Sequence, residues 1–263
     1  MLKRRIIPKI LIEEREVGGA LEFVSITTQR FSSVRIVGDP ISQAKLFESQ
    51  LADELVVLQR DGSQSGISEG FRTLLSRLAN ESFMPLAVGG GIDSVDKANC
   101  LISAGADKVI VGSAALTDST LLSSIASRFG SQSIVVSLDI VSHGSDEYNV
   151  MTGAARSQVA GDLDDILSRC VSQGAGEILL TDITRDGLGE GLNLSLGAYT
   201  TERIGIPVIL SGGAGTPLHF GEAFQFASVD AVSAGTFFSR RDQTPIEVRA
   251  HMMNSGIPTR NIT

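Results

Sequence analysis

The chain repeats itself, and the repeat limits what it can fold into. Pro85-Leu-Ala-Val-Gly-Gly-Gly matches Pro207-Val-Ile-Leu-Ser-Gly-Gly in spacing, so Gly90 and Gly91 correspond to Gly212 and Gly213. Asp107-Lys-Val-Ile-Val-Gly-Ser matches Asp230-Ala-Val-Ser-Ala-Gly-Thr, which pairs Gly112 and Ser113 with Gly235 and Thr236. A third echo links Ala52-Asp-Glu-Leu-Val-Val-Leu to Ala175-Gly-Glu-Ile-Leu-Leu-Thr. A duplication of this kind points to two similar halves, roughly 1–130 and 131–263.

Each repeated segment is a short β-branched run, and such runs recur at Ile6–Ile12, Glu54–Leu58, Pro85–Val88, Lys108–Val111, Ile134–Asp139, Glu177–Thr181, Pro207–Ser211 and Ala231–Ala234. Between several of them lie stretches of helical period, such as Val95, Ala98, Leu101 and Ile102, or Leu163, Ile166, Leu167 and Val171. Strand and helix in alternation imply right-handed crossovers and a parallel sheet. Eight units in 263 residues predict a single (β/α)8 TIM barrel, which typically needs about 250. An open doubly wound sheet is the alternative that periodicity leaves. Residues 13–33 and 141–161 are polar and weakly periodic, and are expected to be long mobile loops on the active face.

Composition narrows the chemistry. The net charge of −8 argues against nucleic-acid binding, which rests on cationic neutralisation of phosphates. Neither a signal peptide nor a membrane span is predicted: charges return at Lys9 and Glu13, and no apolar run is long enough to cross a bilayer. Cys100 and Cys170 lie far apart, outside any metal or redox pair, and a reducing cytoplasm fits. His143, His219 and His251 show no metal-ligand spacing, and no dinucleotide loop, ATP loop or nucleophile elbow is present. No metal and no cofactor are expected.

What remains is anion chemistry. A strand ending in glycines lets backbone N–H groups approach an anion, and the next helix points its positive end there. Gly90 and Gly91 with Gly112 and Ser113 form one such set, and Gly212 and Gly213 with Gly235 and Thr236 the other, so a ligand with a phosphate at each end is expected. The bland reading makes these glycines tight turns only. Thr181 and Ser211, at the ends of the sixth and seventh strands, join the binding set. Asp139 ends the fifth strand and is the candidate proton carrier, with capping as its ordinary alternative. Asp186, in Thr184-Arg-Asp-Gly, is a candidate for ligand hydroxyls, or simply a turn residue.

These residues resemble the cyclase subunit of imidazole glycerol phosphate synthase, nearly end to end. The likeness includes Lys3-Arg-Arg-Ile-Ile-Pro, Asp53-Glu-Leu-Val, Val88-Gly-Gly-Gly-Ile, Gly105-Ala-Asp-Lys-Val, Phe129-Gly-Ser-Gln, Gly174-Ala-Gly-Glu-Ile-Leu-Leu-Thr, Arg185-Asp-Gly and Ser211-Gly-Gly-Ala-Gly. The resemblance implies an ammonia-using cyclase of histidine biosynthesis acting on a bisphosphorylated ribonucleotide, with a glutaminase as heterodimeric partner. It also implies an ammonia gate at the lower end of the barrel, formed by Arg5, Glu54, Lys108 and Glu177, where ordinary strand-end salt bridging is the alternative.

The catalytic end departs from the pattern. The family uses two strand-end aspartates, and only Asp139 is kept, because Leu11 stands at the first-strand position. Gln59 replaces an aspartate, Gly112 an asparagine and Gly19 a lysine. Leucine moves no proton, so one half of the acid–base pair is missing. Besides the cyclase, two further readings follow: a paralogous ammonia-dependent synthase acting elsewhere, such as amidine formation on a surface sugar, and a non-catalytic barrel that binds phosphorylated ligands. The isomerase barrel of the same pathway needs no ammonia entrance and is disfavoured.

Overall fold

The computed structural model describes residues 3–60, 66–144, 147–153, 155–240 and 243–260. Among the described residues twelve strands form one sheet: β1 (Arg5–Val17), β2 (Ala20–Gln29), β3 (Ser32–Gly38), β4 (Leu55–Gln59), β5 (Leu86–Gly89), β6 (Lys108–Val111), β7 (Ile134–Ser142), β8 (Tyr148–Thr152), β9 (Ser157–Gln158), β10 (Glu177–Asp182), β11 (Val208–Ser211) and β12 (Ala231–Ala234). Eight of them run parallel in the order β1-β4-β5-β6-β7-β10-β11-β12, and β12 pairs with β1 to close the barrel. The eight runs anticipated from sequence are these strands, with ends moved by a residue or a few.

Alternation along each strand separates two cores. Residues such as Ile6, Val57, Val88 and Val136 point outward and pack under the helices. Ile7, Val56, Ala87, Ile110, Val135, Leu179, Ile209 and Ala231, one per barrel strand, fill the interior as a separate cluster. Polar side chains start the helices where their sequence allows it. Ser68, Ser94 and Asp162 accept hydrogen bonds from the amides of Phe71, Lys97 and Asp165. Thr244 and Glu247 form a reciprocal capping box on the helix Pro245–Asn254.

Three aspartates before barrel strands fasten the lower end. Asp53 accepts from the Ile6 amide, Asp107 from Leu86 and Asp230 from Val208, each satisfying the first or second amide of a neighbouring strand. Asp53 also pairs at 2.9 Å with Arg249, which is only 1% exposed and donates to the carbonyl of Leu51. The last helix is thereby locked beneath β1.

The two expected loops are not open loops. Between 13 and 33, β1 continues to Val17 and pairs antiparallel with β2, with Val17 opposite Ala20 across Gly18 and Gly19. Both glycines have positive φ, 62° and 88°, the signature of a two-residue hairpin turn of primed type. The polar sequence reflects one-sided exposure: Ser25, Ile26, Thr27 and Thr28 are buried, and Phe23 packs on Phe71 with ring centroids 5.7 Å apart. In the 141–161 stretch β7 runs on to Ser142 and pairs with β8, which pairs with β9. Residues 145, 146 and 154 of that stretch lie outside the described residues.

Candidate functional site

At the lower end the four expected gate residues meet in a closed ring. Arg5 Nη1 lies 2.7 Å from Glu54 Oε2, and Arg5 Nη2 lies 2.9 Å from Glu177 Oε2. Lys108 Nζ is 3.0 Å from Glu54 Oε2 and 2.8 Å from Glu177 Oε1. Cations and anions alternate, and each side chain has two partners of opposite sign. Burial alone would raise the Glu177 carboxyl, but Arg5 and Lys108 overcome it and hold the group below its ordinary value.

Above the ring stands the apolar layer of eight residues. Along β1 the inward positions read Arg5, Ile7, Lys9 and Leu11, that is, charge, hydrocarbon, charge, hydrocarbon from floor to rim. Lys9 is 6% exposed and donates from Nζ to Ser211 Oγ at 2.9 Å. Thr181 and Ser233 occupy inward positions beside Ser211, and Ser233 Oγ is buried with no hydrogen-bond partner among the described residues.

At the rim, Asp139 is half-buried. Burial chiefly raises its pKa to about 6, against the pull of Lys9, and the nearby Asp186 raises it further. A carboxyl that titrates there can accept or give a proton near neutral pH. Asp186 is itself buried and accepts from Thr28 Oγ1 at 2.9 Å, so the first hairpin reaches the loop after β10. Leu11 is paired with Leu58 of β4 and Ile26 of β2, and supplies only hydrocarbon to the rim.

The second anion set converges. Ser211, Gly212, Gly213, Gly235 and Thr236 line one small hollow together with Lys9 and Asp186. Here the bland reading of the glycines also holds: a Cβ on Gly212 would sit 2.5 Å from the Asp182 carbonyl oxygen, and one on Gly213 would sit 2.2 Å from that of Gly191. The first set is placed by register, since Gly89 faces Ile110 and the chains run on from there to Gly90, Gly91 and Gly112, Ser113. Gly90 leaves no room for a Cβ against Gln59, whereas nothing lies within 4 Å of one on Gly112. The Ser113 hydroxyl accepts from the Gly153 amide at 3.1 Å, which ties this set to the second hairpin.

Sequence reasoning missed Lys9 and Thr28. Lys9 had a readable signal, an isolated cation at an inward position of an otherwise apolar strand. Thr28 had none, because its partner lies 158 residues away. Larger hollows occur by Pro207 and Asp230 at the lower end and by Ser76 and Asn99 on the outer helices, both away from the strand ends. Among the described residues no group of three His, Cys, Asp or Glu is arranged to hold a metal ion, and no helix is long and apolar enough to cross a membrane.

A closed barrel of eight parallel strands with helices between them, and polar side chains gathered at the strand ends, defines a (β/α)8 barrel protein. The chain belongs to the histidine biosynthesis protein family, whose model matches residues 5–243. It is 39% identical over 263 residues, 99% of each chain, to a protein of Prochlorococcus marinus (strain MIT 9313) named provisionally as imidazole glycerol phosphate synthase subunit hisF2. It is 37% identical over 263 residues to the imidazole glycerol phosphate synthase subunit HisF of Chloroherpeton thalassium, covering 99% of this chain and 100% of that one. The subunit HisF of Myxococcus xanthus is 39% identical over 236 residues, 89% of this chain and 92% of its own.

Proposed function

We propose that the chain is an imidazole glycerol phosphate synthase cyclase-type subunit, taking ammonia from a glutaminase docked at its lower end and using it on a bisphosphorylated ribonucleotide at the strand ends. The observation that carries this reading is the order of layers inside the barrel: a ring of Arg5, Glu54, Lys108 and Glu177, then eight apolar side chains, then the polar rim with Asp139. Neutral ammonia crosses a dry apolar layer more readily than ammonium, whose charge would have to be desolvated. The two glycine sets flank the barrel mouth and suit a ligand with a phosphate at each end. Between them, Asp139 stands where proton transfer is needed and Asp186 where ligand hydroxyls would pass. The reading requires no cofactor.

The test is direct. Purified protein given an ammonium salt and the bisphosphorylated ribonucleotide should release imidazole glycerol phosphate, and with the glutaminase present glutamine should replace the ammonium salt. Reversing Glu177→Lys should remove glutamine-dependent turnover while sparing the ammonium-dependent reaction. Phosphate or sulfate should occupy both glycine sets in crystals, and a failure at both would sink the bisphosphate reading.

Leu11 favours a second reading, in which the same conduit serves an ammonia-dependent synthase with another phosphorylated substrate. Addition of ammonia to an activated carbon does not require the aspartate pair that ring closure does. Loss of the ribonucleotide activity with both anion sites intact would select it.

A further inference from the structure

Lys9 takes no part in the function proposed above, yet its position is unusual. It is a cation inside a barrel, 6% exposed, with a neutral hydroxyl, Ser211 Oγ, as its hydrogen-bond acceptor and Asp139 interacting through charge. A buried ammonium so partnered is costly, and a Leu or Met would fill the same space more cheaply. Lys9 also follows Ile7 in the inward series, directly above the apolar layer, and borders the hollow shared by Gly212, Gly213 and Gly235. Its nitrogen therefore lies where a small nucleophile leaving the conduit would first meet a ligand held between the two glycine sets. This inference rests on that reading of the phosphate sites.

We propose that Lys9 is itself a reacting amine, which condenses with the carbonyl carbon of a phosphorylated ketone or aldehyde to form an imine. Asp139, which senses Lys9 through charge without a direct hydrogen bond, takes one proton from the ammonium through a bridging water, and the freed lone pair attacks the carbonyl carbon, forming the C–N bond. Asp139 passes that proton to the former carbonyl oxygen. A second proton follows by the same route, the C–O bond breaks, and water leaves. Of the three ammonium protons, two depart in that water and one stays on the iminium nitrogen, so charge and atoms balance without an oxidant or reductant. Ser233 Oγ, buried without a partner among the described residues, is available to hold the oxygen of the intermediate. Ammonia emerging from the conduit then adds to the same carbon and displaces Lys9, which carries off the surplus proton, giving the neutral ligand imine and restoring the Lys9 ammonium. Burial beside a carboxyl that titrates near neutrality is the setting in which a lysine serves as a covalent catalyst.

The experiment is reductive trapping of the whole chain. Protein incubated with glycerone phosphate and borohydride is digested, and the peptide carrying Lys9 is weighed; inorganic phosphate binding is measured separately by calorimetry. The expected result is a single reduced adduct on Lys9, suppressed by excess inorganic phosphate and formed at least tenfold more slowly in Asp139→Asn. Lys9→Met should abolish it, and Lys9→Arg, which keeps the charge but forms no imine, should abolish it while retaining phosphate binding. Phosphate binding with Lys9 unlabelled would overturn the proposal and leave Lys9 as a fixed counter-charge to Asp139. Labelling spread over surface lysines and unchanged in Lys9→Arg would overturn it equally. If phosphate does not bind and Lys9 stays unlabelled, both this proposal and the phosphate reading fall.

Discussion

The hydroxyl of Thr28 donates to Asp186 Oδ2 at 2.9 Å, joining the far end of the first hairpin to the loop after β10 on another side of the barrel mouth. The contact is reinforced where Arg30 N donates to the Asp186 carbonyl at 2.9 Å and where Gly187 leaves no space beside the Thr28 carbonyl. The hairpin is therefore pinned over the site by a few groups. Thr28→Val keeps the shape but leaves a buried carboxyl without that donor, and should cost about 2 kcal/mol. Hydrogen exchange should quicken in Ala20–Gln29 while the barrel strands keep their protection. Unchanged exchange in the hairpin would show that other contacts hold it.

The ring at the lower end predicts an acid-sensitive component of stability. Because the folded Glu177 carboxyl lies below its ordinary 4.5, its contribution is present above that value and is lost as pH falls through the lower folded one. Glu54→Gln removes the anion with 3% side-chain exposure that both Arg5 and Lys108 contact, and leaves two cations sharing Glu177. A loss of about 3 kcal/mol is expected in denaturant unfolding at pH 7. A change near zero would mean that water enters the ring and solvates the cations.

Asp139 predicts the opposite slope. Burial raises its carboxyl from 3.8 to about 6, so the native state holds the proton more firmly than the unfolded chain does. Stability from this group is complete below about pH 4 and is lost as pH rises through about 6. Asp139→Asn should therefore stabilise the fold by about 1–3 kcal/mol at pH 7.5 and by nothing at pH 3.5. Such a gain at neutral pH, paired with lost activity, is the mark of a group kept for chemistry. Equal unfolding free energies at pH 7.5 would mean that water reaches the half-buried carboxyl and leaves it at its ordinary value.

The barrel was legible because its signal is local and repeated: each β-branched run, such as Lys108–Val111, carries its own period and its own strand-end glycine. The ring was legible through resemblance, and it sits at strand starts where geometry leaves little freedom. The hairpins were hidden by polarity, since Glu13, Glu14, Arg15 and Glu16 read as loop although only Glu14 and Glu16 are exposed and Glu13 pairs with Arg15, and Val17-Gly-Gly-Ala contains a two-residue turn. The environment of Asp139 was not legible at all. It depends on Lys9, which precedes it by 130 positions, and on Asp186, which follows it by 47, and no pattern within either segment refers to the other.

Leu11 is the sharpest point of divergence from the cyclase pattern. It lies at the rim end of the inward series of β1, half-buried, opposite Leu58 in β4 and Ile26 in β2, so its cross-strand partners offer no replacement carboxylate. Loss of a positioned acid or base typically costs about 10²–10⁴-fold in rate, and turnover of the bisphosphorylated ribonucleotide by the parent should be low by a factor in that range. Leu11→Asp restores a carboxylate at the end of the first strand and should raise that turnover well above the parent. Its charge also adds to that of Asp186 near Asp139, so the acid limb of the pH profile should move upward from about 6. Asp139→Asn should abolish turnover in both backgrounds. A parent that already runs at about 10 s⁻¹, the middle of the range for enzymes, would sink the claim that Leu11 marks a changed function. If Leu11→Asp yields nothing while phosphate still binds, the missing carboxylate was never needed, because the ligand is one whose reaction ends at ammonia addition.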